Sequence, residues 1–267
     1  MRRASVGFVG AVCLWVGCVT VGAVRAEEPA ATPAPVAAPE AEAGPFFDLD
    51  LTWNSKYVWR GIRVTEDPVL ESAITFGCGN LSLNVWANLD TTDVNDYEWQ
   101  ANEIDCTLDY STSWKKLNFS VGGIFYQFPG AEDVDTVEAY GAIGPDVPAS
   151  PTLTVYQDLD EHDGTYMVLS LGHTFEDVWK PSEAVSMGVD VGTSFAYGTR
   201  KHNLFYSGAD ASGWADATTS LGLPFAIGDH VTVTPAIHHL WILSDGLSDA
   251  LGEDSVFWAG VSVAVSF

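Results

Sequence analysis

Basic residues are scarce. Eleven Lys and Arg stand against thirty-six Asp and Glu in 267 residues, a formal net charge of −25 at pH 7. A chain this acidic lacks the positive surface that nucleic acid demands, so no nucleic-acid partner is expected. Cysteine is scarce too. Of four, Cys13 and Cys18 fall in an N-terminal leader, leaving only Cys78 and Cys106. Two thiols make no disulfide framework, and an intervening strand argues against their pairing. Long hydrophobic runs are missing beyond the leader, so any membrane span has to be built from strands. Aromatics, by contrast, reach 12%, and mean hydropathy is slightly positive. Acidic disordered chains are poor in aromatics; here apolar and acidic residues are interleaved.

Residues 1–26 read as a secretory leader: Arg2 and Arg3, an apolar core from Gly7 to Val24, and the exit Val24-Arg25-Ala26. Cys18 follows Val16-Gly17 in the manner of a lipoprotein cleavage site, but Trp15 stands where a small aliphatic residue belongs. Loss of the leader removes Arg2, Arg3 and Arg25 and takes the net charge from −25 to −28. Residues 27–45 are Ala/Pro/Glu-rich without periodicity, the composition of a semi-extended periplasmic linker. Residues 46–267 make up one domain.

Within it, period-two alternation recurs in about twelve segments, near 46–59, 68–76, 81–90, 100–112, 117–127, 135–144, 152–158, 165–175, 184–196, 212–223, 230–242 and 254–267. Leu81, Leu83, Val85, Ala87 and Leu89 alternate with Ser82, Asn84, Trp86, Asn88 and Asp90. In the last segment Phe257, Ala259, Val261, Val263, Val265 and Phe267 share one face. A Phe ending that register looks like the C-terminal assembly signal of bacterial outer-membrane barrels, with Phe257, Val261, Val263, Val265 and Phe267 presented to the barrel assembly machinery during insertion. An open sheet edge cannot sit in lipid, so this strand is expected to close on the first. A soluble sandwich alternates in the same way. Three features favour a barrel: connections that alternate short and long, an even strand count, and aromatics near strand ends. Those aromatics are Trp53, Tyr57, Trp59, Trp99, Tyr110, Trp114, Phe128, Trp179, Tyr197, Trp214 and Trp241. The expected fold is all-β: a transmembrane antiparallel up-and-down β-barrel of outer-membrane type.

A charge on the lipid face costs about 2–4 kcal/mol at the midplane, so charges inside spans are expected to face the lumen. The first strand, read to residue 59, turns Leu49, Leu51, Trp53, Tyr57 and Trp59 toward lipid. Asp48, Asp50, Lys56 and Arg60 then point inward. The same test sends Glu71, Asp105, Asp109, Glu138, Asp190 and Asp216 to the lumen. An acidic lumen with Lys56 and Arg60 as its main cations reads either as a cation-favouring pore or as a plugged, salt-bridged interior. Gly61 also fits a bulge or bend at the strand's outer end.

The segment Ser55-Lys56-Tyr57-Val58-Trp59-Arg60-Gly61-Ile62, followed by Pro68, resembles the bacterial TorF family of outer-membrane porins. That family carries Ser-Asp-Tyr-x-Phe-Arg-Gly-Ile-Ser near the start of the mature domain and a Pro a few residues on. Lys56 replaces the family's Asp, Trp59 its Phe, and Arg63 the Ser after Ile62. The resemblance implies an outer-membrane barrel with a pore and defines no solute.

The functional expectation is a passive diffusion channel for small hydrophilic, preferably cationic, solutes, in contact with outer-membrane lipid and with its N-terminus periplasmic. No catalysis, cofactor or metal is implied. The acidic stretch 158–164 lacks the spacing of an EF-hand, and adjacent His238 and His239 point to opposite faces. One alternative is a non-conducting structural or adhesive barrel. Another is an outer-membrane lipid hydrolase, for which a Ser two residues from a His on one strand would be the simplest sign; none of the six His has Ser at two residues on.

Overall fold

A computed structural model of the chain describes residues 44–95, 98–131 and 135–267. The leader and nearly all of the linker lie outside the described residues. Twelve long antiparallel strands make a closed barrel: β1 (Pro45–Asn54), β4 (Val69–Cys78), β5 (Leu81–Asp90), β6 (Gln100–Trp114), β7 (Leu117–Gln127), β8 (Thr136–Pro145), β9 (Thr152–Asp158), β10 (Thr165–Ser182), β11 (Val185–Gly198), β12 (Gly213–Gly222), β14 (Val231–Ile242) and β15 (Ser255–Ser266). Each strand pairs with its chain neighbour in the wall, and β15 closes on β1, with Leu49 opposite Val265 and Trp53 opposite Val261. Closure extends one residue further. The Phe47 amide donates to the Phe267 carbonyl at 3.1 Å, and the Phe267 amide to the Phe47 carbonyl at 2.9 Å.

The alternation sorts side chains as a lipid-facing wall requires. Along β15, Phe257, Val261 and Val263 are exposed while Trp258, Gly260, Ala264 and Ser266 are buried. Along β5, Leu81, Leu83 and Val85 face out and Trp86, Asn88 and Asp90 in. Trp53, Trp99, Tyr110, Trp114, Trp179, Trp214 and Trp241 all stand exposed on the outside. At one end three connections are only two residues, 79–80, 115–116 and 183–184, while 146–151 has six; the connections at the other end have six or more. Helices α1 (Arg200–Ser207) and α2 (Asp245–Leu251) belong to two of the long connections and fold over that mouth. Leu247 of α2 packs with Tyr166, Val168 and Ala196 of the wall.

Three segments depart from the sequence reading. The first strand stops at Asn54 instead of running to residue 59. The chain then turns inward as a second, two-stranded sheet, β2 (Tyr57–Trp59) and β3 (Ile62–Thr65), inside the barrel. Tyr57 and Trp59, expected at the lipid face, are buried in the interior, and Phe128 packs against the same cluster. The strand expected at 165–175 continues to Ser182 through two register shifts, so the connection is only 183–184. Its residues 173–182 are exposed and lie beyond the end of β9. A short β13 (Phe225–Ile227) pairs with both β11 and β14 where β12 has ended. Cys78 and Cys106 are free.

Candidate functional site

The interior is organised by the β2–β3 hairpin. Its tip is the pair Arg60-Gly61, with φ of 45° and 84°. Two consecutive left-handed residues make the tight turn whose twist suits a hairpin, and Gly supplies one of them without steric cost. Gly61 lies against the wall so closely that an added Cβ would fall 2.8 Å from Asp216 Oδ2. The pair is therefore a turn tip deep in the lumen and not a bulge at the outer end of a strand. The stem of the hairpin is tied to the closing strand. The Ser55 amide donates to the Ala259 carbonyl at 2.8 Å, and the Ala259 amide to Ser55 Oγ at 3.1 Å.

From that stem the hairpin reaches most of the wall. Val58 packs with Leu240, Val256 and Trp258. On the opposite side Tyr57 packs with Trp86 and donates to Glu103 Oε2 at 2.9 Å. Trp59 lies edge-on to Tyr206 of α1, ring centroids 4.8 Å apart. Arg60 forms the central contact. Its two terminal nitrogens donate to the two oxygens of Glu138, each at 2.7 Å, and one also to the Tyr126 hydroxyl at 3.1 Å. The guanidinium carbon sits 4.5 Å from the Trp59 ring centre, 4.2 Å from Tyr156 and 5.2 Å from Tyr166. A planar cation bonded in its plane and flanked by rings is the arrangement guanidinium favours. Between the tip and the two helices remains a crevice of about 10 Å³, room for one water. The hairpin and the two helices occupy the lumen toward the long loops.

The residues singled out in the sequence fall into distinct groups. Glu71, Asp105, Glu138 and Asp216 are buried around the hairpin. Glu71 accepts from Asn54 at 3.0 Å and Asp216 from the Tyr166 hydroxyl at 2.8 Å. Asp105 has both Glu103 and Arg60 as electrostatic neighbours. Asp48, Asp50, Asp109 and Asp190 lie on inward positions of β1, β6 and β11 nearer the short-turn end. There Asp109 accepts from Tyr140 at 2.5 Å and also from Ser111 and Ser120. Lys56 does not join these acids. Because β1 ends two residues earlier, its inward parity cannot be carried on, and Lys56 Nζ donates to the Phe257 carbonyl at 3.2 Å on the exposed rim. Ser55 precedes the hairpin, Ile62 opens its second strand opposite Trp59, and Pro68 immediately precedes β4.

The sequence reading overlooked Glu103, Tyr126, Tyr156, Tyr166 and His202. A signal for four of them was present: Glu103, Tyr126, Tyr156 and Tyr166 sit on the wet-face parity of their strands, where an aromatic needs a reason. Outside the spanning strands, the acidic loop 159–164 is organised from within by Asp158, whose Oδ1 accepts the amides of Asp160, His162 and Asp163 at 2.9–3.2 Å. His162 packs on Phe205 and Tyr206, and His202 lies between Tyr166 and Tyr206. Burial holds the His162 imidazole below its usual range. Burial, reinforced by the Arg60 charge, pushes His202 down to about 2.

No protein-family model matches the chain, and no curated protein does. Among solved structures, LpxR from Salmonella typhimurium superposes with a TM-score of 0.52 at 7% identity, over 82% of this chain and 99% of that one. The chain is an outer-membrane-type β-barrel. An outer membrane channel from Pseudomonas putida F1 gives a TM-score of 0.47 at 9% identity over 88% of this barrel and 100% of the other chain. The NanC porin gives 0.45 at 10% identity, over 83% and 98%.

Proposed function

We propose that the protein is an outer-membrane channel for small hydrophilic, preferably cationic, solutes, with the β2–β3 hairpin controlling passage. The observation that carries this reading is the polarity of the wall's inner face. Asp105 Oδ1, Asp190 Oδ1, Ser170 Oγ, Thr234 Oγ1 and Ser266 Oγ are buried with no protein hydrogen-bond partner. Buried polar atoms are rarely left unsatisfied, and waters held in the interior would satisfy these where an apolar core would not. The acids on that face, Asp48, Asp50, Asp109 and Asp190 among them, favour cations. The TorF resemblance of 55–62 and Pro68 supports the same reading. In this reading the long loops face outward and the short turns and N-terminus lie in the periplasm, as in bacterial barrels.

A second reading has its own observation. The hairpin and α1 fill the upper lumen, as they would in a structural barrel that does not conduct. Ion current through the refolded protein in a planar bilayer under a KCl gradient separates the two. The wild-type barrel is expected to give brief cation-selective steps. Replacing residues 57–65 by a short Gly/Ser turn is expected to give large, sustained ones. A hairpin-less barrel that folds, migrates as heat-modifiable protein and stays silent would overturn the channel, and lipid hydrolysis would then be assayed.

A further inference from the structure

We propose that the chamber around Arg60 is a guanidinium-recognition site that the chain occupies with its own side chain. The solute it serves is a small guanidinium-bearing cation that competes with Arg60 and releases the hairpin. This rests on the channel reading for its consequence, though not for its geometry.

The acceptors and rings belong to the wall, while the guanidinium belongs to the plug. Tyr126 stands on β7, Glu138 on β8, Tyr156 on β9 and Tyr166 on β10, four consecutive strands of one sheet. Their positions are set by the barrel, so the site persists when the tip withdraws; only Trp59 leaves with it. The side chains match a planar fork and not merely a positive charge. Glu138 takes both guanidinium nitrogens, each at 2.7 Å, Tyr126 takes one of them at 3.1 Å, and Tyr156 offers its face at 4.2 Å. An ammonium is a compact point charge that can use the carboxylate but not the fork and the ring face together.

The chamber also holds more carboxyl groups than Arg60 can pair. Glu103, Asp105 and Glu138 all have Arg60 as an electrostatic neighbour or partner. Asp105 is 7% exposed and its Oδ1 has no protein hydrogen-bond partner. These further carboxyl groups offer acceptors for the N–H groups of a second cation beside the first.

The variant R60N removes the guanidinium and keeps the turn, because Asn tolerates the left-handed region and Asn-Gly is a favoured hairpin pair. Methylguanidinium and methylammonium are titrated calorimetrically into folded R60N in detergent. Methylguanidinium is expected to bind saturably and about tenfold more tightly than methylammonium, the worth of one extra charge-assisted hydrogen bond. The preference is expected to vanish in R60N/E138Q. Equal affinities, or no saturable binding to a folded barrel, overturn the proposal. Wild-type protein supplies a measurement that needs neither a variant nor a current. Amide hydrogen exchange at 57–65 is expected to rise saturably with methylguanidinium and not with methylammonium; unchanged exchange overturns the competition. The two readings fail separately. Guanidinium binding in a barrel silent in every variant keeps the site and removes the channel. Current without guanidinium binding does the reverse.

Discussion

At the scale of single residues, the Arg60–Glu138 pair has the most to lose. Both side chains are nearly inaccessible, 8% and 1% exposed. Breaking a buried pair by removing one partner costs about 3–5 kcal/mol, because the remaining charge stays buried without compensation. E138Q and R60N are each expected to weaken hairpin docking on that scale, read as the free energy of amide exchange at 57–65. The R60N/E138Q double variant is expected to cost less than the two singles together. Simple additivity would show that the two side chains are not coupled. His202 makes a second prediction, with a definite sign. Its folded value of about 2 lies below the ordinary 6.5, so the unfolded segment binds the proton and the folded one refuses it. The docking of α1 is then fully present above about pH 6.5 and weakens steadily as pH falls below it. His162, also lowered by burial, acts in the same direction. Limited proteolysis at 199–212 should accelerate on acidification, and H202N should flatten that dependence. A pH-independent cleavage rate in the wild type would count against it. Little of this was legible in the sequence. That Glu138 faces inward follows from parity and the cost of a charge in lipid; that Arg60 would meet it, 78 residues earlier in the chain, follows from no local pattern.

At the scale of elements, the hairpin exposes a real ambiguity of period-two patterns. Tyr57 and Trp59 continue the apolar parity of β1, and an aromatic on that parity can face lipid or a filled lumen equally well. The sequence pattern distinguishes wet from greasy, and the interior of this barrel is both. Gly61 held the clue: its conformational freedom marks a turn, and a turn after Trp59 ends the strand early. A side chain there would face both a φ of +84° and the Asp216 carboxylate. G61V is therefore expected to unseat the tip while leaving the wall intact. Trypsin should then cut at Arg60 or Arg63 in a barrel that still shows heat-modifiable mobility; resistance equal to wild type would show the tip tolerates the change. The prolonged β10 escaped notice for a different reason. Its residues 173–182 pair on one side only and are exposed on both faces, so nothing imposes a clean alternation on them.

At the scale of the whole molecule, the architecture was the most legible part, since twelve alternating segments and one terminal aromatic register each repeat the same physical demand. A barrel in lipid has no tolerance for an edge. The seam between β1 and β15 runs to the paired amides of Phe47 and Phe267, and the Phe267 ring also packs near Phe47, centroids 6.1 Å apart. Deleting Phe267 is expected to lower the yield of heat-modifiable barrel in outer-membrane fractions. Normal yield would show that the seam closes without its last pair. The strong negative charge does not threaten this wall, because the acids of the spanning strands face inward and Glu176 and Asp177 sit on the exposed extension of β10.

The seam also sets an order of events. The hairpin is made almost first, yet its stem is tied to Phe257 and Ala259, 201 and 204 residues later, and its tip to strands in the middle of the chain. Long-range contacts of this kind form late, after the intervening loops have closed. During assembly the wall is therefore an open, unstoppered sheet until its final strand docks, and the same event that seals the wall seats the stopper.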